Sequence, residues 1–210
     1  MDEAAKHCLI SCGILRKEIE KLVEDGELNV DAHFLSEKLH YDTNKLNKAL
    51  NGAIQKFSKN CPEGIIVVYG DYCSGFNDEM KTLIDTYNVV KVDALNCIDC
   101  LLGGKGKLRE VDPDHEHFFL NPGFIHFSES IKSQTKEQTR QMFSMLKGII
   151  LLDSLGNLDE YQAEIDAFCD HTGLSILERK HVGLQGLKAL ILEAIEQADN
   201  PNEKPEKQLH

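Results

Sequence analysis

The chain alternates dense apolar runs with amphipathic stretches. Residues 7–12 read HCLISC, an apolar run closed by Gly13, which predicts a buried strand. Residues 14–24 then set Leu15, Ile19, Leu22 and Val23 on one helical face, with Arg16, Lys17, Glu18, Glu20 and Lys21 filling the other. Gly26 stops this helix. Residues 30–39, with Phe34 and Leu35, predict a second strand. Thr43 predicts the cap of a helix over 44–57, in which Leu46, Ala49, Leu50, Ala53 and Ile54 recur at helical spacing. The β-branched run GIIVVY at 64–69 is the clearest buried strand. A helix over 77–87, a strand over 89–92 and a short helix over 97–102 follow, closed by Gly103-Gly104. Residues 105–138 show no regular period. A helix is predicted over 135–146, a strand (GIILL) over 148–152, a helix over 158–172, a strand over 174–177 and a last helix over 184–198. Residues 199–210 contain Pro201, Pro205 and Leu209 as their one apolar side chain, the composition of a disordered tail. Strand–helix alternation without an internal repeat predicts an α/β fold. It would be a mostly parallel sheet with helices on both faces, Rossmann-like, forming a single domain over 1–198.

Charge narrows the partners. The 210 residues carry 23 Lys plus Arg against 35 Asp plus Glu, a net charge of −12. Nucleic-acid binding relies on cationic side chains that neutralise phosphates, so nucleic acid is not an expected partner. No apolar run approaches the roughly 18 residues of a membrane span, and Met1-Asp2-Glu3-Ala4-Ala5-Lys6 lacks the build of a signal peptide. The expected location is therefore cytoplasmic, with no membrane partner.

The seven cysteines are the main chemical signal. Parallel sheets bind ligands outside the carboxyl ends of their strands. Cys12, Cys73 and Cys97 each follow a predicted strand, as does Asp153. Cys8 and Cys169 fall inside predicted elements and Cys61 precedes a strand, so these three read as packing or surface thiols. An odd cysteine count without a signal peptide argues against a disulfide framework. Three convergent thiolates would suit zinc or an iron–sulfur cluster and leave one position open. Three small buried side chains would satisfy the same positions without a metal. Asp153, Asp71 and His40 are candidates for ligand or proton handling. Gly13, Gly70 and Gly75 are expected to let the backbone approach a cofactor closely. Cys97-Ile98-Asp99-Cys100 is a CxxC that opens a predicted helix, so a redox dithiol is a further reading. Gly103-Gly104-Lys105-Gly106-Lys107 lacks P-loop spacing and reads as a surface turn. His115 and His117 read as solvated loop residues.

The order of Ser11-Cys12-Gly13, Phe34-Leu35 through Leu39-His40, Val68-Tyr69-Gly70 leading to Cys73, Cys97-Ile98 leading to Leu101-Leu102-Gly103, Asn121-Pro122-Gly123, Leu152-Asp153-Ser154-Leu155-Gly156 and Tyr161 resembles the domain of unknown function 1638 family of bacteria and archaea. That resemblance implies recurrence of the cysteines at Cys12, Cys73 and Cys97. It also implies a setting beside corrinoid-dependent methyltransferases of one-carbon metabolism. Cys100 departs from the family pattern. So does the segment after Gly123, where an aromatic stretch with tryptophan is expected and this chain has no tryptophan. The leading expectation is a zinc or iron–sulfur protein of one-carbon or corrinoid metabolism, with a small-molecule ligand and corrinoid or methyltransferase proteins as partners. The alternative is a non-catalytic accessory protein that binds a small molecule or corrinoid, with structural cysteines.

Overall fold

The computed structural model describes residues 6–127 and 134–200. The predicted tail at 201–210 lies outside the described residues. In chain order the elements begin with β1 (His7–Cys12), α1 (Arg16–Glu24), β2 (Val30–Leu35), α2 (Thr43–Phe57), β3 (Ile65–Val68), α3 (Glu79–Tyr87) and β4 (Val90–Lys91). They continue with α4 (Cys97–Leu102), α5 (Lys107–Val111), β5 (His117–Leu120), α6 (Pro122–Phe127), α7 (Lys136–Phe143), β6 (Gly148–Asp153), α8 (Gln162–Thr172), β7 (Ile176–His181) and α9 (Gln185–Asp199). The fold is α/β and Rossmann-like, with parallel pairing throughout the described strands.

The strands form two sheets, of order β2-β1-β3-β4 and β5-β6-β7. In the first, β1 is central and all six of its residues are buried, as its unbroken apolar run requires. The chain runs outward from β1 to β2, then crosses to β3 and β4 on the other side. The crevice between the carboxyl ends of β1 and β3 is thus the topological switch point, where open parallel sheets bind ligands. Helix α2 covers this sheet with Leu46, Leu50 and Ile54, one residue per turn. Each contributes about 1.5–3 kcal/mol by leaving water. Helix α9 buries Leu187, Leu190, Ile191 and Ala194.

The period-2 alternation of the second sheet explains how the two sheets join. Phe119, Ile150 and Leu152 point into the core shared with β1 and β3, whereas Leu120, Ile149 and Leu151 point into a second cluster with Phe143, Ile165 and Phe168. The Asn121-Pro122-Gly123 turn docks on the chain after β1. A Cβ on Gly123 would lie 2.0 Å from the Ile14 carbonyl oxygen, so only glycine fits.

Several boundaries differ from the sequence reading. The second strand ends at Leu35, because Ser36 caps a 3₁₀ turn over Glu37–Tyr41. Asp42, not Thr43, caps α2 by accepting from the Lys45 N–H. The stretch 105–138 contains α5, β5 and α6. The strand predicted at 174–177 lies at Ile176–His181, a largely exposed strand at the edge of its sheet whose charged residues hide the period. The last helix runs through Asp199.

Candidate metal centre

Each strand of the first sheet delivers one residue to the switch point. Cys12 ends β1 and caps the 3₁₀ turn Gly13–Leu15, its sulfur accepting the Ile14 N–H at 3.5 Å. His40 comes from the turn after β2, with its Nε2 2.9 Å from Cys12 Sγ. Cys73 lies in the 3₁₀ turn Asp71–Ser74 after β3. Cys97 opens α4, where Asn96 caps the helix by accepting the Asp99 N–H at 2.9 Å.

The loops after β3 and β4 are stitched to each other. Asp71 N–H donates to Ala94 O at 2.9 Å and Tyr72 N–H to Leu95 O at 3.0 Å. Gly70 permits this contact, since a Cβ there would lie 2.2 Å from Asn96 N. Buried Asp99 accepts from the N–H groups of Leu95, Gly106 and Leu108 and fixes the far side of the α4 loop. These bonds bring the Cys73 turn beside the start of α4, where Cys73 and Cys97 shift each other's ionisation. The ligand atoms of Cys12, His40 and Cys97 all lie within 4.8 Å of one another.

The thiols of the site shift in opposite directions. The hydrogen bond from Cys97 outweighs burial and, with the His40 hydrogen bond and charge and the Ile14 N–H, pulls the Cys12 thiol down to about 5. The Cys97 hydrogen bond likewise lowers Cys73 against its burial. Cys97 moves the other way, because its bonds to Cys12 and Cys73, burial and two neighbouring negative charges all oppose its ionisation. Burial alone would lower His40, but the hydrogen bond and charge of Cys12, with Cys73 and Glu37, raise it overall. Burial and then the charges of the three cysteines push the Tyr69 hydroxyl up, and no oxygen or nitrogen atom pairs with it. Tyr41 follows His40 and is exposed, as are Tyr72 and Phe76 around Cys73, whose rings lie 5.3 Å apart.

The other candidates are engaged elsewhere. Asp71 pairs with Lys91 at 2.9 Å and Lys105 at 3.3 Å. Asp153 accepts the Gly156 N–H at 2.8 Å and pairs with Arg179 at 3.0 Å, both within the segment at the end of the second sheet. The close approaches of the three glycines are made to the protein itself: Gly13 to Leu35 and Glu37, Gly70 to Leu95 and Asn96, and Gly75 to the Glu79 carboxylate. Cys100 is fully buried, and burial drives its thiol far above the usual range, the opposite of a redox nucleophile. His117 is bound to Asp112 at 2.9 Å. Cys8 and Cys61 are not lone packing thiols: their sulfurs stand at disulfide distance, with Cα atoms 5.9 Å apart.

Sequence reasoning gave His40 a role in handling ligands or protons. Its place in the group that could hold a metal ion follows from the same strand-end rule applied to β2. Tyr69 was hidden as the last residue of the apolar run GIIVVY. Glu18 was placed on the polar face of α1, yet it is fully buried, because the second sheet packs there. Its Oε1 accepts from Ser154 Oγ at 2.7 Å and Asn121 Nδ2 at 3.3 Å.

Fold and site together define an α/β protein with a cysteine–histidine group able to hold a metal ion at its switch point. The chain belongs to the family described as protein of unknown function (DUF1638), whose model matches residues 34–191. His40, Cys73 and Cys97 lie inside that match and Cys12 precedes it. Neither the curated proteins nor the solved structures contain a match. Among the described helices, none is long and apolar enough to cross a membrane.

Proposed function

We propose that the protein is a metalloprotein in which Cys12, Cys73, Cys97 and His40 hold a single thiophilic ion of the zinc class. The observation that carries this reading is the convergence of the Cys12, Cys97 and His40 ligand atoms within 4.8 Å; Cys73 lies outside that group but near enough to Cys97 for each to shift the other's ionisation. Soft thiolates with one imidazole are a zinc donor set. An imidazole this close to two sulfurs favours one ion over an iron–sulfur cluster, whose cysteines spread around a larger body. The proton that crowding keeps on Cys97 is the one a metal would displace. Cys73 is the most accessible of the three thiols, so its position is the one an incoming ligand would take. A bound ion there would act as a Lewis acid on a thiol or methyl acceptor. Tyr41, next to His40 in the chain, and Tyr72 and Phe76, on either side of Cys73 in the chain, are exposed rings. The proposed ligand is a small molecule of one-carbon metabolism, supplied by a corrinoid or methyltransferase protein in the cytoplasm. Asp71 and Asp153 take no proton-handling role in this reading, because lysines and an arginine hold them.

The test is elemental analysis with a visible spectrum on protein purified without oxygen, beside Cys12→Ala, Cys73→Ala and Cys97→Ala. The expected result, with the Cys8–Cys61 bond formed, is one equivalent of zinc in the wild type and its loss in the Cys12 and Cys97 variants. Iron with sulfide would replace the single ion by a cluster. Metal-free protein after anaerobic reconstitution would return the cysteines to packing and favour the accessory-protein reading.

A further inference from the structure

A second group of ligating side chains lies at the opposite edge of the same sheet. Cys8 on β1 is in register with Asp31 on β2. Cys61 is carried over Cys8 by the turn into β3, where Gly64 N–H donates to Cys61 O and Cys8 N–H to Gly64 O, each at 3.1 Å. His33 lies two residues beyond Asp31, on the same face of β2. Its Nε2 is 3.0 Å from Asp31 Oδ2, and its ring stacks on Phe57 with centroids 3.8 Å apart. The Cys8 sulfur, an Asp31 carboxylate oxygen and a His33 ring nitrogen all lie within 4.8 Å of one another. The Cys61 sulfur stands at disulfide distance from Cys8, next to that three-membered group. Cys8 and Cys12 are separated by four residues of β1, about 13 Å of strand, so the two groups are distinct sites.

The Cys8 sulfur cannot be bonded to Cys61 and serve a metal as a thiolate at once. We propose that Cys8, Cys61, His33 and Asp31 form a redox-gated site for a zinc-class ion, open when the cysteines are reduced and closed when they are joined. In the opening step two equivalents of a small-molecule thiol break the Cys8–Cys61 S–S bond. They leave as their own disulfide, and their electron pair and two protons remain on the two cysteines. A divalent ion then displaces those protons and binds two thiolates, the imidazole and the carboxylate. In the closing step a small-molecule disulfide accepts an electron pair from the two thiolates. The Cys8–Cys61 bond re-forms, two small thiolates leave, and the ion is released. The donor set has two sulfurs, one nitrogen and one oxygen, the ligand types that zinc takes. Asp31 is exposed and His33 half-buried, whereas Cys8 and Cys61 are buried, so the ion enters from the Asp31 side. This inference does not depend on the metal at the switch point.

The test is an anaerobic zinc titration of the full chain in a thiol buffer, read by elemental analysis after desalting. It compares wild type, Cys61→Ser, His33→Asn and wild type reoxidised with oxidised glutathione, with the Cys8–Cys61 bond mapped by mass spectrometry. Reduced wild type is expected to retain one equivalent more than Cys61→Ser. His33→Asn, which keeps both cysteines, should bind that equivalent at least tenfold more weakly. Reoxidised protein with the mapped bond should lack it. Equal retention by reduced wild type and both variants, or retention of the extra equivalent with the mapped disulfide intact, would overturn the proposal. The readout is a difference of one equivalent, so it stands whether or not the switch-point site holds metal.

Discussion

The carboxylate of Glu18 offers a test of how the two sheets are joined. It is fully buried where α1 meets the ends of the second sheet. One oxygen accepts from Ser154 at 2.7 Å and Asn121 at 3.3 Å, and the other, Oε2, has no partner. Burial raises its pKa, and the hydrogen bonds of Ser154 and Asn121 offset only part of that. The unfolded chain releases this proton near pH 4.3. The fold therefore favours the protonated acid. The associated stability is complete below that pH and is lost as pH rises through the folded value. An unsatisfied buried polar oxygen of this kind costs about 1–3 kcal/mol. For a chain of this size 1 kcal/mol moves Tm by roughly 2–4 °C. Glu18→Gln keeps an acceptor for Ser154 and removes the ionisation. Calorimetry at pH 5 and pH 8 should show Gln gaining on Glu, with a higher relative Tm, as the pH rises between the two conditions. Comparing the two pH values cancels any fixed packing cost of the amide. A difference between variant and wild type that is constant with pH would refute the linkage.

Other perturbations act on the metal centre and its frame. Gly70→Ala forces a Cβ into the Leu95–Asn96 backbone at 2.2 Å. It should destabilise the protein by more than about 2 kcal/mol in urea titration and separate the Cys73 and Cys97 loops; a loss within about 0.5 kcal/mol would contradict the stitched-loop account. In metal-free protein the Cys12 thiol is held down at about 5. Iodoacetamide should therefore still modify it at pH 6, once the centre opens to the reagent. Reaction should fade below pH 5, and His40→Ala should move the midpoint up; a midpoint near 8.5 would contradict the Cys12–His40 pairing. Cys100→Ala should leave metal content unchanged and cost about 1 kcal/mol of packing. Metal loss in that variant would restore the CxxC as the binding element.

Legibility followed burial and strand order. The central strands β1, β3 and β6 could be read because buried parallel strands are continuous apolar runs, and α2 because its core positions recur once per turn. β7 was displaced because an edge strand of sequence ILERKH carries no apolar period. β5 was missed because four residues between an acidic loop and Pro122 are too few to establish one. The three cysteines could be placed at strand ends from the sequence. The approach of Cys12, Cys97 and His40 to one another rests on the order β2-β1-β3-β4, which no local pattern encodes. The Cys8–Cys61 pairing depends on register across β1 and the turn before β3, and cysteine counting argued against it. Glu18 looked like a solvated helix residue because the helix pattern does not know that a second sheet will cover its polar side.

The most direct test of the metal centre is X-ray absorption at the zinc edge, on protein whose Cys8–Cys61 bond is formed so that only the switch-point site is occupied. Coordination by three sulfurs at about 2.3 Å and one nitrogen at about 2.0 Å, changing to three sulfurs and an oxygen in His40→Ala, is the predicted result. A shell of nitrogen and oxygen alone, or a spectrum identical in Cys12→Ala, would contradict the account.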